Sequence, residues 1–149
     1  MTDYLWKDIL TKLKLSRIIE NYAQVVVEED PETKKKSVKQ IFPRYHQLDC
    51  VEKLLADVKE NGIGKCYLIQ HSAGSGKSNS ISWLAHQLIG LEQDGHPMID
   101  SVLVVTDRRI LDKQIRDNIK QFMQVANTVA WAEHSGDLRS EERRVGKEC

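Results

Sequence analysis

The chain has 149 residues, room for one domain, with 40% hydrophobic and 30% charged residues. Lysine plus arginine and aspartate plus glutamate both total 22, so no bulk charge attracts nucleic acid and any basic surface is local. No apolar run approaches the ~20 residues of a membrane span, and the start, with Asp3 and Asp8 but no apolar core, excludes a signal peptide.

The apolar residues Leu5, Ile9 and Leu13, then Ile18, Ile19 and Tyr22, predict one or two helices, with Ser16 placed to cap a second. Val25-Val26-Val27 is a β-branched run and reads as a strand. Asp30-Pro31 signals a turn, and Val38 with Gln40-Ile41-Phe42 reads as the return strand of a hairpin. Between them, Lys34-Lys35-Lys36 reads either as a contact to a phosphate backbone or as a solvated loop tip.

Pro43 marks an entry, and Leu48, Val51, Leu54 or Leu55, and Val58 predict a helix from Tyr45 to Asn61 that ends at Gly62. Cys66 to Gln70 is the next expected strand. After a glycine-rich turn, Ile81, Leu84, Ala85, Leu88 and Ile89 form the expected buried stripe of a helix from about Lys77 to Leu91, flanked by Trp83. Glu92 to Pro97 reads as a loop. The unbroken run Val102-Leu103-Val104-Val105 predicts a strand buried on both faces, as in a parallel sheet. Leu111, Ile115, Ile119 and Phe122 give another helical stripe, and Thr128 to Trp131 the start of a third strand. Strand and helix alternate, so the expected fold class is α/β with a parallel sheet and right-handed crossovers. Ligands of such sheets bind beyond the C-terminal strand ends, where the loops at Ser72 and Thr106 both lie.

The turn His71-Ser72-Ala73-Gly74-Ser75-Gly76-Lys77-Ser78 reads as a phosphate-binding loop between strand and helix, with His71 where the first glycine usually stands. Gly74 and Gly76 permit positive φ and close approach of backbone to phosphate. Backbone N–H groups at a helix N-terminus form an anion-binding concavity. Lys77, the catalytic candidate, is expected to reach the β/γ-phosphates of a nucleotide, and the Ser78 hydroxyl to bind Mg²⁺. Gln47, upstream in Arg44-Tyr45-His46-Gln47, carries an amide able to pair with an adenine edge; it reads otherwise as an exposed helix residue. The scattered Cys50, Cys66 and Cys149 form no C-x-x-C pair, and the histidines show no metal-ligand spacing. That suggests a reduced, cytoplasmic compartment and no zinc site.

Together these segments resemble superfamily 2 helicases and translocases, most closely the motor (R) subunit of type I restriction-modification enzymes. Ile41-Phe42-Pro43-Arg44-Tyr45-His46-Gln47 resembles that family's adenine-recognising segment, and His71 to Ser78 resembles its motif I, His71 included. Val105-Thr106-Asp107-Arg108-Arg109 with Leu111 and Gln114 resembles its motif Ia. The resemblance implies a P-loop NTPase of RecA-like fold that uses ATP and Mg²⁺ to move duplex DNA, with methyltransferase and specificity subunits as partners and a nuclease domain elsewhere in the intact protein. It implies that Gln47 reads adenine, that Ser72, Ala73, Gly74, Ser75, Gly76, Lys77 and Ser78 hold phosphate, and that Thr106 and Arg108 lie near the DNA backbone. Thr106 to Arg109 reads equally as a cap of the following helix, with Asp107 favourable near its N-terminus.

Hydrolysis also needs a carboxylate for Mg²⁺ and a group to orient water, and no apolar run followed by an acid comes after Trp131. The chain therefore reads as a truncated first motor domain over 43–138, preceded by a helical and hairpin extension over 1–42, and unable to turn over ATP alone. Residues 139–149, Arg139 to Cys149, resemble the translation of a sequencing adapter; the other reading is a charged, solvated tail. A non-DNA P-loop ATPase or kinase, another DNA helicase, and a non-functional gene fragment of marginal stability stay open as alternatives.

Overall fold

The computed structural model describes residues 3, 5–29, 34–107, 109–120 and 132. A π-helical turn at Leu5–Ile9 leads into α1, Lys12–Asn21. Thr11 caps α1: its hydroxyl oxygen accepts from the Lys14 N–H at 3.4 Å, and the hydroxyl donates to the Asp8 carbonyl at 2.8 Å. Ser16, expected as a cap, lies inside α1, because the helix starts at the earlier hydroxyl residue. The hairpin forms as expected, with β1, Gln24–Glu29, antiparallel to β2, Lys36–Ile41, and Val26 opposite Lys39. Lys34, Lys35 and Lys36 are exposed at the start of the return strand.

The predicted helix at Tyr45 is α2, Tyr45–Asn61, and Gly62 closes it with φ 75° and an N–H bonded to the Val58 carbonyl. Helix α3, Lys77–Ile89, packs against both α2 and α4, Arg109–Lys120. The core gathers Ile18 and Tyr22 from the α1 region, Leu48 and Val51 from α2, and Trp83 from α3. Trp83 is fully buried; its indole N–H donates to the Tyr22 carbonyl at 2.9 Å, and its ring lies 5.7 Å from that of Tyr22. Ile81 and Ile89, expected inside, are each 37% exposed. The most buried face of α3 is thus the one that carries Trp83, which clusters with Ile18, Tyr22, Leu48 and Val51. A bridge of 2.7 Å from Lys14 to Glu52 adds a polar tie between α1 and α2.

The expected strands at Cys66–Gln70 and Val102–Val105 form no ladder, so no parallel sheet is present among the described residues. Val105, expected in a strand buried on both faces, is 81% exposed, and Leu68 in the other run is 95% exposed. The physical reason is that a strand is a pairwise object: without a neighbour at ladder distance its backbone turns to water and its side chains have no sheet face to share. The Thr128–Trp131 strand, Phe122, the Asp30-Pro31 turn and residues 139–149 lie outside the described residues. The Cys66 segment is tied to α2 by polar contacts instead. Asp57 accepts from Lys65 at 2.9 Å and from the Tyr67 hydroxyl, and those two bonds hold its carboxyl below the usual carboxylate value. A small hairpin replaces the expected loop at Glu92–Pro97: β3, Glu92–Gln93, pairs with β4, His96–Pro97. Asp94 and Gly95 turn it with φ of 54° and 78°, the two left-handed positions of a type I′ turn. No helix among the described residues is long and apolar enough to cross a membrane.

Burial raises the Tyr22 phenol from its ordinary value near 10 to about 12. The folded chain therefore holds this proton through a pH range in which the unfolded chain has lost it. The resulting stabilisation is complete below pH ~10 and is lost as pH rises through ~12. Urea melts across that window are expected to show a falling midpoint, and a shallower fall in Tyr22→Phe.

Candidate nucleotide site at the start of α3

The site begins with backbone geometry. Gly74 and Gly76 take φ of 71° and 81°, and among the described residues no peptide bond is cis. Ser72, Ala73 and Gly74 are exposed, Ser75 is buried, and Gly76 serves as the N-cap of α3. The Gly76 carbonyl accepts from the N–H groups of Asn79 and Ser80 at 3.1 and 3.3 Å, which starts the helix. The Lys77 and Ser78 N–H groups, first in α3, come before any helical acceptor, with the positive end of the helix dipole behind them.

Two side chains from the first turn of α2 reach this loop. Gln47 is buried, and its amide nitrogen donates to the Ser75 and Gly76 carbonyls at 3.2 and 2.9 Å. Its amide oxygen accepts from the Arg44 N–H at 2.8 Å, the N3-to-N-cap half of a capping box. The guanidinium of Arg44 has no acceptor to complete the box. His46 Nε2 lies 3.2 Å from the same Ser75 carbonyl, so Nε2 carries the proton and donates. The His46 ring meets His71 edge to face at 5.1 Å and 87°.

Lys77 is exposed and folded back across the loop: its ammonium donates to the Ser72 carbonyl at 2.8 Å and the His71 carbonyl at 3.3 Å. Two atoms in this region, Ser75 Oγ and His71 Nδ1, are buried without a hydrogen-bond partner. Ser78 is half-buried at the second position of α3, and its carbonyl accepts from the Ser82 hydroxyl at 2.9 Å. An ammonium, helix-start N–H groups and a hydroxyl are donors, and such a set fits a polyphosphate. Among the described residues no group of three or more His, Cys, Asp or Glu could hold a metal ion.

The sequence-predicted residues thus divide. Gln47, the segment from Ser72 to Gly76, Lys77 and Ser78 come together at one helix start. Gln47 is not the exposed helix residue of the plainer reading; both of its donors are spent on loop carbonyls. Thr106 is half-buried in an open cleft of about 530 Å³ with Ile81, Val104 and Leu111, ahead of α4. Arg108 lies outside the described residues. A second cleft of the same size, lined by Arg109, Ile110, Leu111 and Gln114, also runs along α4 and not over the glycine loop. The two regions are joined through α3 and α4, where Asn118 donates to the side chain of Asn79 at 3.0 Å. Sequence reasoning missed His46 and Asn79. The glutamine at the third position of α2 was the available signal for His46, since a side chain tied to the helix start faces what lies before it.

A family model for the SWI2/SNF2 ATPase matches residues 46–146, more than half of the chain. No curated protein and no solved structure matches.

The two loop glycines separate backbone strain from contact. A Cβ on Gly74 meets nothing within 4 Å, whereas one on Gly76 lies 2.5 Å from Gln47 Nε2. Both alanine variants bear the left-handed cost of about 1–2 kcal/mol. Gly76→Ala also displaces a buried amide, adding about 1–3 kcal/mol. Denaturant melts are expected to rank wild type above Gly74→Ala and Gly74→Ala above Gly76→Ala; equal midpoints for the two variants would remove the Gln47 contact from the account.

Proposed function

The chain belongs to the SWI2/SNF2 ATPase family, and on that premise we propose that residues 43–138 are the ATP-binding part of a DNA translocase of the type I restriction motor-subunit kind. The observation that carries the nucleotide site is the donor-lined loop at the start of α3, with Lys77 folded onto carbonyls that a phosphate would displace. The restriction reading is supported by the order of three segments: Arg44 to Gln47, His71 to Ser78, and Val105 to Arg109. In this reading the Ser78 hydroxyl would hold a Mg²⁺ ion, which would supply positive charge beside the polyphosphate. Lys77 neutralises charge on the outer phosphates.

The rest of the proposal concerns what lies around the site. The segments 66–70 and 102–105 are read as strands of a RecA-like parallel sheet, supported by their apolar sequence and their position before the two loops. Duplex DNA is read as the partner, with Thr106 and Arg108 as backbone contacts, since threonine and arginine commonly supply such bonds. Methyltransferase and specificity subunits, and a cytoplasmic setting, follow from the same reading.

Two measurements test it. Thermal melts of the 149-residue chain in Mg-ATP are expected to show stabilisation, about 2.7 kcal/mol at ~100 times the dissociation constant. Lys77→Ala is expected to lose most of that shift, and equal shifts in both proteins would remove the phosphate site. Phosphate release by the isolated chain is expected to stay at background with and without duplex DNA. In a motor protein carrying this segment, duplex DNA should stimulate ATP hydrolysis; an ATPase indifferent to DNA would favour a non-DNA P-loop enzyme.

A further inference from the structure

We propose that His46 is a positioning residue for phosphate binding: together with Gln47 it pins the Ser75 carbonyl, so that the Gly76 N–H is aimed at the anion. The inference rests on the nucleotide-site reading above and adds to it a residue and a mechanism. Its geometric basis is the peptide plane. In a trans peptide the carbonyl of one residue and the N–H of the next point in opposite directions. The Ser75–Gly76 peptide is trans, and its carbonyl accepts from His46 Nε2 and Gln47 Nε2, each at 3.2 Å. Both donors stand on the first turn of α2, so the carbonyl faces α2 and the Gly76 N–H faces away from it.

Without those donors this peptide has little to hold it. It is flanked by Gly76 at a positive φ, and glycine permits a wide range of backbone angles. The next peptide is different: the Gly76 carbonyl is already held by the start of α3, so the Lys77 N–H is oriented by the helix itself. His46 thus acts on the peptide that the helix does not control, and Gln47 on that peptide and, at 2.9 Å, on the Gly76 carbonyl as well. The His71 ring, edge to face with His46, forms a wall beside it. This gives a role to the imidazole at the position where a phosphate loop usually starts with glycine. It also gives Gln47 a role in the phosphate half of the site, in place of base reading.

Sodium tripolyphosphate, which has no base, separates these roles. Its affinity for the full chain is measured by calorimetry beside Mg-ATP and Mg-GTP, with far-UV circular dichroism as the fold control. His46→Phe keeps an aromatic ring and loses the donor; it should weaken tripolyphosphate and Mg-ATP alike, by about tenfold for one hydrogen bond. His46→Gln restores a donor and should recover most of that loss, which a merely structural role would not predict. If His46→Phe does not fold, the smaller donorless His46→Leu carries the comparison. Gln47→Met should weaken tripolyphosphate too, with the preference for ATP over GTP unchanged.

Unchanged tripolyphosphate affinity in a folded donorless His46 variant would overturn the inference. Loss of ATP preference in Gln47→Met, with tripolyphosphate untouched, would return Gln47 to adenine reading and overturn its share. Lys77→Ala is the control for the underlying site. If it weakens tripolyphosphate while the His46 variants do not, this inference alone fails; if the unmodified chain binds none of the three probes, the nucleotide-site reading fails and takes this one with it.

Discussion

A single buried amide holds the site to its framework. Gln47 uses its oxygen on the N–H that opens α2 and its nitrogen on two carbonyls of the glycine loop. A buried polar group left without partners costs about 1–3 kcal/mol, so the loop and the helix start are each the other's condition for low energy. The same helix carries Leu48 and Val51 into the core against Trp83. Residue 47 faces the loop and residues 48 and 51 face the core, which follows from helical spacing and requires no further device. The loop is thereby positioned by the helix that also builds the core.

Local signals carried much of this arrangement. The bounds of α2 were legible because Pro43 and Gly62 punctuate a regular apolar stripe, and the start of α3 because Gly76-Lys77-Ser78 can only follow a turn. The β1–β2 hairpin was legible from a β-branched run, a turn signal and a return. What the sequence hid was direction and partnership. Trp83 and Ile81 are equally apolar, and periodicity alone does not say which of two adjacent faces meets α1. An amide suits an adenine edge and a backbone carbonyl alike, and the sequence did not show that Gln47 approaches the loop carbonyls. The Asp94-Gly95 turn was legible in principle; its flanking residues are too polar and too short to read as strands.

The two apolar runs show the limit of pattern reading most clearly. An unbroken run such as Val102 to Val105 records what would be favourable if neighbours were present on both edges. It does not supply them. Among the described residues the side chains alternate in exposure instead, with Leu103 and Val105 exposed and Val102 and Val104 half-buried. Alternation is what one covered face produces, and continuous burial is what two produce. Family membership and local geometry therefore describe different scales: the match extends over 46–146, while the contacts that position the loop are made within 44–83.

The loop is also prepared unevenly, and the unevenness has a chemical consequence. Its C-terminal half, from Ser75 into α3, is buried or bonded before any ligand arrives. Its N-terminal half, Ser72 to Gly74, is exposed, and Lys77 lies folded upon it. Ordering flexible groups on binding costs free energy that a preorganised site has already met in folding. A phosphate arriving at the helix start would find its N–H donors in place and would have only the lysine to move. That ammonium gives up neutral carbonyl acceptors for an anionic one, which adds the attraction of opposite charges to the hydrogen bond. The exchange favours the phosphate-bound state without rearranging the core, which places the cost of binding on one exposed side chain and leaves α2 and Trp83 undisturbed.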